Sequence, residues 1–213
     1  MNLAKIFIAT AIVAATFPAQ AAGVGLRAGT TGVGADVGWN LAPTLNARVG
    51  YSAFSYSHHL SPTDVRYDAK LKLSNLSALL DFSPLGPFRL TGGVIANDNK
   101  YNLAGTGANY RINGNTYQAS EVGLSGTVKS GRSLAPYLGI GYGNVAGLGV
   151  NFYFDLGIMF MGSPKASLVA SCGGSANCAQ LRNDLNAEQA RIQDDLKRFK
   201  YYPVANIGLT IGF

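Results

Sequence analysis

His58 and His59 are the two histidines of this 213-residue chain, and serines lie on both sides of them. A histidine that reaches a serine hydroxyl can take its proton and turn the oxygen into a nucleophile. The reaction also needs a carboxylate to orient the imidazole, and Asp64 is the nearest one in sequence. The candidate nucleophiles are Ser55, Ser57 and Ser61. Because polar loops with two histidines are far more common than active sites, we expect no catalytic residues and no enzymatic activity.

The other motifs that could do chemistry indicate no cofactor. Adjacent residues of an extended strand point to opposite sides, so His58 and His59 cannot easily share a metal ion. Gly139, Gly141 and Gly143 recur at every second position, but a dinucleotide-binding loop needs a longer glycine pattern followed by a helix. These glycines instead keep one face of a strand free of side-chain volume. We therefore expect neither a metal ion nor a nucleotide.

Three arginines and three aspartates lie in segments that are otherwise apolar or small: Arg27, Asp36, Arg48, Asp81, Arg89 and Asp155. If one face of each segment is buried, these opposite charges must pair, because an unpaired buried charge costs several kcal/mol. If they lie instead at the rims of the fold, in water, each pair contributes only about 0–1 kcal/mol. The elements that carry them decide between these alternatives.

Those elements are extended segments in which apolar and polar residues alternate. Between residues 150 and 160 the even positions are all apolar, whereas the odd positions include Asn151, Tyr153 and Asp155. Successive side chains of a strand point to opposite faces, so this strand has one apolar wall and one polar or small wall. Eight segments follow the same rule, at about 24–29, 33–41, 45–53, 76–82, 88–94, 138–143, 150–160 and 201–213.

The connections between these segments are short on one side and longer on the other. Turn-forming residues occupy 42–44, 83–87 and 144–147, whereas the opposite connections are 30–32, 57–64, 99–133 and 162–200. This asymmetry is typical of bacterial outer-membrane barrels. We predict an all-β fold, an eight-stranded antiparallel up-and-down transmembrane β-barrel. Such a barrel is little wider inside than its own side chains, so the six charges predict a largely plugged polar lumen.

The last long connection carries a helical pattern and both cysteines. Apolar residues recur at helical spacing over 179–199, within an extracellular loop that we place at 164–200. The helix either lies over the barrel rim or binds a partner protein. Cys172 and Cys178 predict a local disulfide, because no further His or Cys ligand for a metal lies nearby. The apolar helix residues are Leu181, Leu185, Ile192, Leu196 and Phe199.

Composition and the first residues indicate a cell-envelope protein. Residues 1–21 combine a cationic start, an apolar run and a small-x-small ending, which predicts a cleaved signal peptide and a barrel over 22–213. Only 13% of the residues are charged, fewer than a soluble surface usually carries. The net charge of +6 is spread along the chain, which argues against nucleic acid as a partner. Outer-membrane lipid and lipopolysaccharide are the expected counter-charges.

The export signal, the eight alternating segments and the final strand together resemble the small outer-membrane barrels of the OmpA transmembrane-domain and OmpW type. The terminal residues Ile207, Leu209, Ile211 and Phe213 are similar to the C-terminal signal read by the barrel-assembly machinery. No peptidoglycan-binding domain is expected after the barrel, unlike in full-length OmpA-type proteins. His59-x-Ser61 also slightly resembles a motif of the lipid A deacylases, which are small barrels too.

Three functions follow from this interpretation. The first is a structural or surface-interaction role of a closed barrel, carried by its extracellular loops. The second, which the OmpW-like resemblance implies, is a narrow channel or transporter for small solutes, hydrophobic ones included. The third is a lipid-modifying barrel enzyme. The sequence leaves the oligomeric state open.

Overall fold

The alternating segments form strands in the computed structural model, which describes residues 22–60, 65–107, 109–118, 121–173 and 177–213. The expected signal peptide, residues 1–21, lies outside the described residues. The described part of the chain contains thirteen strands and one helix. In chain order these are β1 (Ala22–Gly29), β2 (Gly32–Ala42), β3 (Leu45–Leu60), β4 (Val65–Leu85), β5 (Phe88–Asn97), β6 (Lys100–Gly107), β7 (Asn109–Ile112), β8 (Asn115–Gln118), β9 (Val122–Lys129), β10 (Leu134–Gly143), β11 (Gly149–Met159), β12 (Lys165–Cys172), α1 (Cys178–Leu196) and β13 (Tyr202–Gly212).

Eight of these strands close into an antiparallel ring. Its order is β1, β2, β3, β4, β5, β10, β11 and β13, and β13 pairs back onto β1. The closure continues to the chain ends, where Ala22 and Phe213 exchange two backbone hydrogen bonds of 3.0 and 2.9 Å. Each ring strand corresponds to one of the eight alternating segments. We call the end with short connections the turn end and the opposite end the loop end.

The two long connections are not loops, which corrects the expectation that the chain has only eight strands. Residues 99–133 contain β6 to β9, and 162–200 contains β12 before the helix. β4 pairs with β5 over Asn75–Leu85 and with β6 over Val65–Lys72. β6 pairs with β9, and β9 with β12. We call this loop-end continuation of β3 and β4, together with β6, β9 and β12, the extension sheet.

Helix α1 packs on one face of the extension sheet. It begins after Asn177, whose side chain accepts the N–H of Gln180, and it ends at Leu196, three residues earlier than predicted. Leu181 and Leu185 are buried against the β7–β8 hairpin and the extension sheet, whereas Phe199 is 60% exposed and lies outside the apolar stripe.

The open edge of β12 is satisfied by this helix. The backbone N–H groups of Ala166 and Leu168 donate to the side-chain oxygens of Gln193 and Gln189, each at 3.1 Å. An edge strand with unpaired N–H groups invites pairing with another chain, so the two glutamines cover this edge. On the surface of the helix, Glu188 pairs with Arg191 at 3.3 Å and Asp194 pairs with Lys197 at 2.6 Å.

The ring has its polar residues inside and its apolar residues outside. Ring residues at alternate positions, including Leu26, Leu80, Ile140, Phe152 and Ile207, are 51–76% exposed on the outer wall. The charged residues between them are buried. This arrangement is the reverse of that in a water-soluble domain. No helix among the described residues combines the length and the apolar character needed to span a bilayer.

Candidate functional site

The six charged residues singled out in the sequence lie inside the ring, and all six are buried. We call them the lumen network. Arg48 from β3 lies between two carboxylates, 2.7 Å from Asp155 and 3.3 Å from Asp81. Arg89 from β5 reaches the same two groups at 2.8 and 3.1 Å. Two arginines and two aspartates from four strands therefore form a closed square of ion pairs, in which every charge has two partners.

The third pair joins this square through a tyrosine that the sequence did not single out as a site residue. Arg27 lies 2.9 Å from Asp36, and the Tyr153 hydroxyl donates a hydrogen bond to the same carboxylate. The guanidinium carbons of Arg48 and Arg89 lie 5.2 and 5.4 Å from the centre of the Tyr153 ring, within cation–π distance. The lumen network is therefore continuous and contains equal numbers of positive and negative charges.

Glycines make the space for these side chains. Gly141 is the register partner of both Arg89 and Asp155, and Gly208 is the partner of both Arg27 and Tyr153. A Cβ atom at Gly141 would meet the carboxylate of one of its partners and the guanidinium of the other. Similarly, a Cβ at Gly139 would meet the hydroxyl of Tyr137. The small residues expected from the 139–143 glycine pattern are thus matched to individual large neighbours.

An apolar layer lies on the loop-end side of the lumen network, and the sequence did not predict it. Leu79 breaks the alternation of β4 because its side chain points inward, two residues from Asp81, and it is 6% exposed. It packs in one cluster with Ile95, Ala135, Tyr137, Met159 and Val204. A cavity of only about 10 Å³ remains between this layer and the charges. The sequence signal for this layer was that Leu79 and Ile95 are apolar although the alternation of their strands places them inside the ring.

The turn end of the ring contains a cavity, although Val145 and Ala146 of the third short connection are buried there. A vestibule of about 540 Å³ is lined by side chains of the three short connections and of the adjoining strands, including Asn40, Asn46, Pro84 and Asn144. Asn46 lies two residues from Arg48 on the inward face of β3, so the vestibule ends near the lumen network.

The histidine candidates are only partly described. His58 lies on β3, its ring stacked 5.9 Å from that of Tyr56 and its Nδ1 3.4 Å from the Tyr56 hydroxyl. Ser57 is the next residue on an extended strand, so its hydroxyl points to the opposite face. Ser61, Asp64 and the side chain of His59 lie outside the described residues. Within the described ranges, no group of three or more His, Cys, Asp or Glu side chains could hold a metal ion.

The remaining predicted site residues lie at the extension sheet and on the outer wall of the ring. Cys172 and Cys178 form a disulfide that joins the end of β12 to the start of α1. The side chains proposed as the assembly signal are all on the outer wall and 40–72% exposed, and their role in assembly stays a prediction: Ile207, Leu209, Ile211 and Phe213.

The carboxylate of Asp184 on α1 accepts hydrogen bonds from the β7–β8 hairpin. Asp184, which is 6% exposed, accepts hydrogen bonds from Asn113, Asn115 and Tyr117 at 3.0, 2.8 and 2.5 Å. Asn113 and Gly114 both have positive φ, the conformation of a tight hairpin turn, which places the two asparagines side by side. The hydrogen bond from Asn113, followed by those from Tyr117 and Asn115, lowers the pKa of Asp184. Loss of hydration, followed by the bond to Asp184, raises the pKa of Tyr117 to about 12.

We expect this contact to be lost in acid. Because the folded-state pKa of Asp184 is lowered, its stabilising contribution is complete above the ordinary aspartate pKa and disappears as the pH falls through the lowered value. The side-chain amide NMR signals of Asn113 and Asn115 should therefore shift on acidification. Asp184→Asn should remove this titration, whereas Asp195→Asn, at an exposed position of the same helix, should leave it unchanged. An identical titration in Asp184→Asn would contradict the assignment.

Comparisons with known proteins show the fold. No protein-family model matches the chain, and no curated protein matches it. The solved structure of CarO from Acinetobacter baumannii is similar, with 23% identity, a TM-score of 0.61, and coverage of 90% of this chain and 97% of that one. CarO2 from Acinetobacter baumannii matches with 23% identity and a TM-score of 0.62, covering 91% and 98%. The finer resemblance to OmpA- or OmpW-type barrels stays a prediction. This chain has the fold of an outer-membrane β-barrel.

Proposed function

We propose that the chain is an outer-membrane barrel with a closed lumen, whose function is carried by the surface of the extension sheet and of the helix and hairpin that pack on it. The observation that carries this proposal is the continuity of the lumen network. Its six charges come from six strands of the ring, are buried, and lie directly beneath an apolar layer. A hydrated ion entering the lumen would have to separate charge-assisted pairs in a medium of low dielectric constant, which costs several kcal/mol.

The position in the membrane is part of the proposal. The outer wall of the ring exposes large apolar residues on every strand, and water would be a poor solvent for that surface. Closure of the ring satisfies the backbone groups of the strands without water, as a bilayer requires. The turn end would then face the periplasm and the loop end the cell exterior, where short turns and long connections are usually found.

A narrow channel is the second candidate, and the vestibule favours it. About 540 Å³ of space lies at the turn end and reaches Asn46, two residues before Arg48 on the inward face of β3. A solute-driven rearrangement of the arginines and aspartates would then complete a pathway. The third candidate, a lipid-modifying enzyme, rests on the side chain of His59 and on Ser61 and Asp64, which lie outside the described part of the chain.

Conductance separates the first two candidates. The purified chain, refolded into a planar bilayer, should give no steady current steps, and liposomes containing it should not swell in small sugars or amino acids. Insertion is verified independently by protease protection and by heat-dependent electrophoretic mobility. Reproducible current steps from a fully inserted sample would favour the channel and contradict the closed barrel.

A further inference from the structure

Four lysines form a single row across the extension sheet. In the strand register Lys72 of β4 lies opposite Lys100 of β6, Lys100 lies opposite Lys129 of β9, and Lys129 lies opposite Lys165 of β12. Directly paired residues of antiparallel strands point to the same face, with neighbouring strands about 4.8 Å apart. We call these four residues the lysine row. Lys72, Lys129 and Lys165 are exposed, and Lys100 is half-buried.

Like charges directly opposite one another destabilise a sheet. The row has one acidic neighbour in the ion pairs that the structure describes, since Asp98 lies 2.8 Å from Lys100. The hydrogen bond from Lys100 lowers the pKa of Asp98, and the charges of Lys100, Lys72 and Lys129 lower it further. One carboxylate among four ammonium groups leaves a local excess of positive charge, which an external anion would offset.

The face of the lysine row continues the apolar outer wall of the barrel. On β4, Lys72 shares its face with Leu76, Leu80 and Phe82, which are 45–52% exposed on that wall. The other three lysines also lie close to the loop end of a ring strand. Lys100 follows β5, Lys165 follows β11 and Lys129 precedes β10, each within six residues. The row therefore borders the apolar band at the level where a bilayer ends and its headgroups begin.

The neighbouring side chains on this face are polar, and on β4 they include Lys70 and, two residues further, the carboxylate of Asp68. The next row of the register contains Lys70, Asn102, Thr127 and Ser167. Ser55 of β3 lies opposite Lys72. The choice of cation also differs from that in the lumen: the buried lumen network contains only arginine, whereas the exposed row contains only lysine. Lysine is a compact, strongly hydrated charge, and it binds phosphate as a point charge without the fixed geometry of arginine.

We propose that the lysine row binds the phosphate groups of the outer-leaflet glycolipid, the phosphorylated lipid A part of lipopolysaccharide. The acyl chains of the glycolipid would lie against the apolar wall below the row, and its phosphates would lie on the lysines. Free phosphate offers the same charge without the apolar part, so the continuity of the row with the wall favours the lipid. The proposal rests on the proposed position in the outer membrane and does not require the lumen to be closed.

The test uses the full barrel refolded in zwitterionic detergent and titrated with diphosphorylated lipid A, with bound lipid counted by native mass spectrometry. The row variant is Lys72→Gln, Lys100→Gln, Lys129→Gln and Lys165→Gln together. A matched control removes four exposed positive charges from the region of α1: Arg182→Gln, Arg191→Gln, Arg198→Gln and Lys200→Gln. We expect the row variant to lose about tenfold or more in affinity, since each basic residue near an anionic surface contributes appreciably. The control should lose little.

A second measurement separates binding from a structural role. Without lipid A, the row variant should melt close to the unmodified chain, because relief of the repulsion between lysines offsets the loss of the Lys100–Asp98 ion pair. With lipid A, the unmodified chain should gain more in melting temperature than the row variant. If the row variant does not refold, comparing diphosphorylated with dephosphorylated lipid A on the unmodified chain decides the question.

Several outcomes would overturn the proposal: no binding by the unmodified chain, equal losses in row variant and control, equal binding of dephosphorylated lipid A, or full competition by equimolar inorganic phosphate. Conductance is measured on the same samples. A barrel that conducts but binds lipid A through the row would refute the closed lumen alone. A silent barrel without row-dependent binding would refute the lysine row alone.

Discussion

Arg48→Leu should lower the free energy of unfolding of the barrel by about 3–5 kcal/mol, the usual cost of removing one partner from a buried ion pair. The substitution leaves Asp81 and Asp155 with Arg89 as the remaining cation of the square. One guanidinium cannot offset two buried carboxylates, so the square would retain an uncompensated negative charge. Urea titration of the refolded chain in lipid vesicles measures the effect.

Two further variants can contradict the stability loss predicted for Arg48→Leu. Arg182→Leu makes the same change at an exposed position of α1 and should alter stability by no more than about 0.5 kcal/mol. Adding Asp155→Asn to Arg48→Leu restores equal charge in the square and should recover part of the loss, which a double-mutant cycle measures. A loss no larger than that of the exposed control would place the pairs in water and contradict a buried network.

Gly208→Ala should cost about 1–3 kcal/mol through overpacking. The backbone of Gly208 does not require glycine, since its φ is not positive. The cost arises inside the lumen, where the new methyl group would overlap the ring of Tyr153. Because that ring donates to Asp36 and lies beside Arg48 and Arg89, its displacement would disturb the whole network.

The matched control for Gly208 is Gly92→Ala on β5, where a Cβ atom meets nothing within 4 Å. This variant should be as stable as the unmodified barrel. In a Tyr153→Val background the Gly208→Ala substitution should become nearly neutral, because the smaller side chain leaves room for the methyl group. Equal losses from Gly208→Ala in both backgrounds would show that the cost lies elsewhere.

The strands of the ring could be predicted from sequence because each has an apolar face outside the ring and a polar face inside it. A wall that is apolar outside and polar inside imposes period two on every ring strand, and this pattern locates Arg48, Asp81 and Asp155 on one face without any structure. The pairing of particular charges was not available in the same way. It depends on the relative shift of neighbouring strands, which short turns and matched glycines such as Gly141 determine in three dimensions.

The extension sheet was not predicted from the sequence, for a different reason. Strands β6 and β9 are rich in Gly, Ser, Thr and Asn, so their alternation is weak, and their length was interpreted as one long loop. The lysine row was also hidden, because Lys72, Lys100, Lys129 and Lys165 are about thirty residues apart and become neighbours only through the register of β4, β6, β9 and β12. The apolar layer around Leu79 was masked by the assumption that the whole lumen is polar.

The uninterrupted length of β4 has a mechanical consequence. Its 21 residues extend about 70 Å at about 3.3 Å per residue, whereas the apolar band of such a barrel is only about 25 Å tall. Hydrogen bonds to β3 continue along almost all of β4, so no joint separates the barrel wall from the extension sheet. A molecule that pulls on the extension sheet would therefore tilt the entire barrel with it instead of bending a flexible arm.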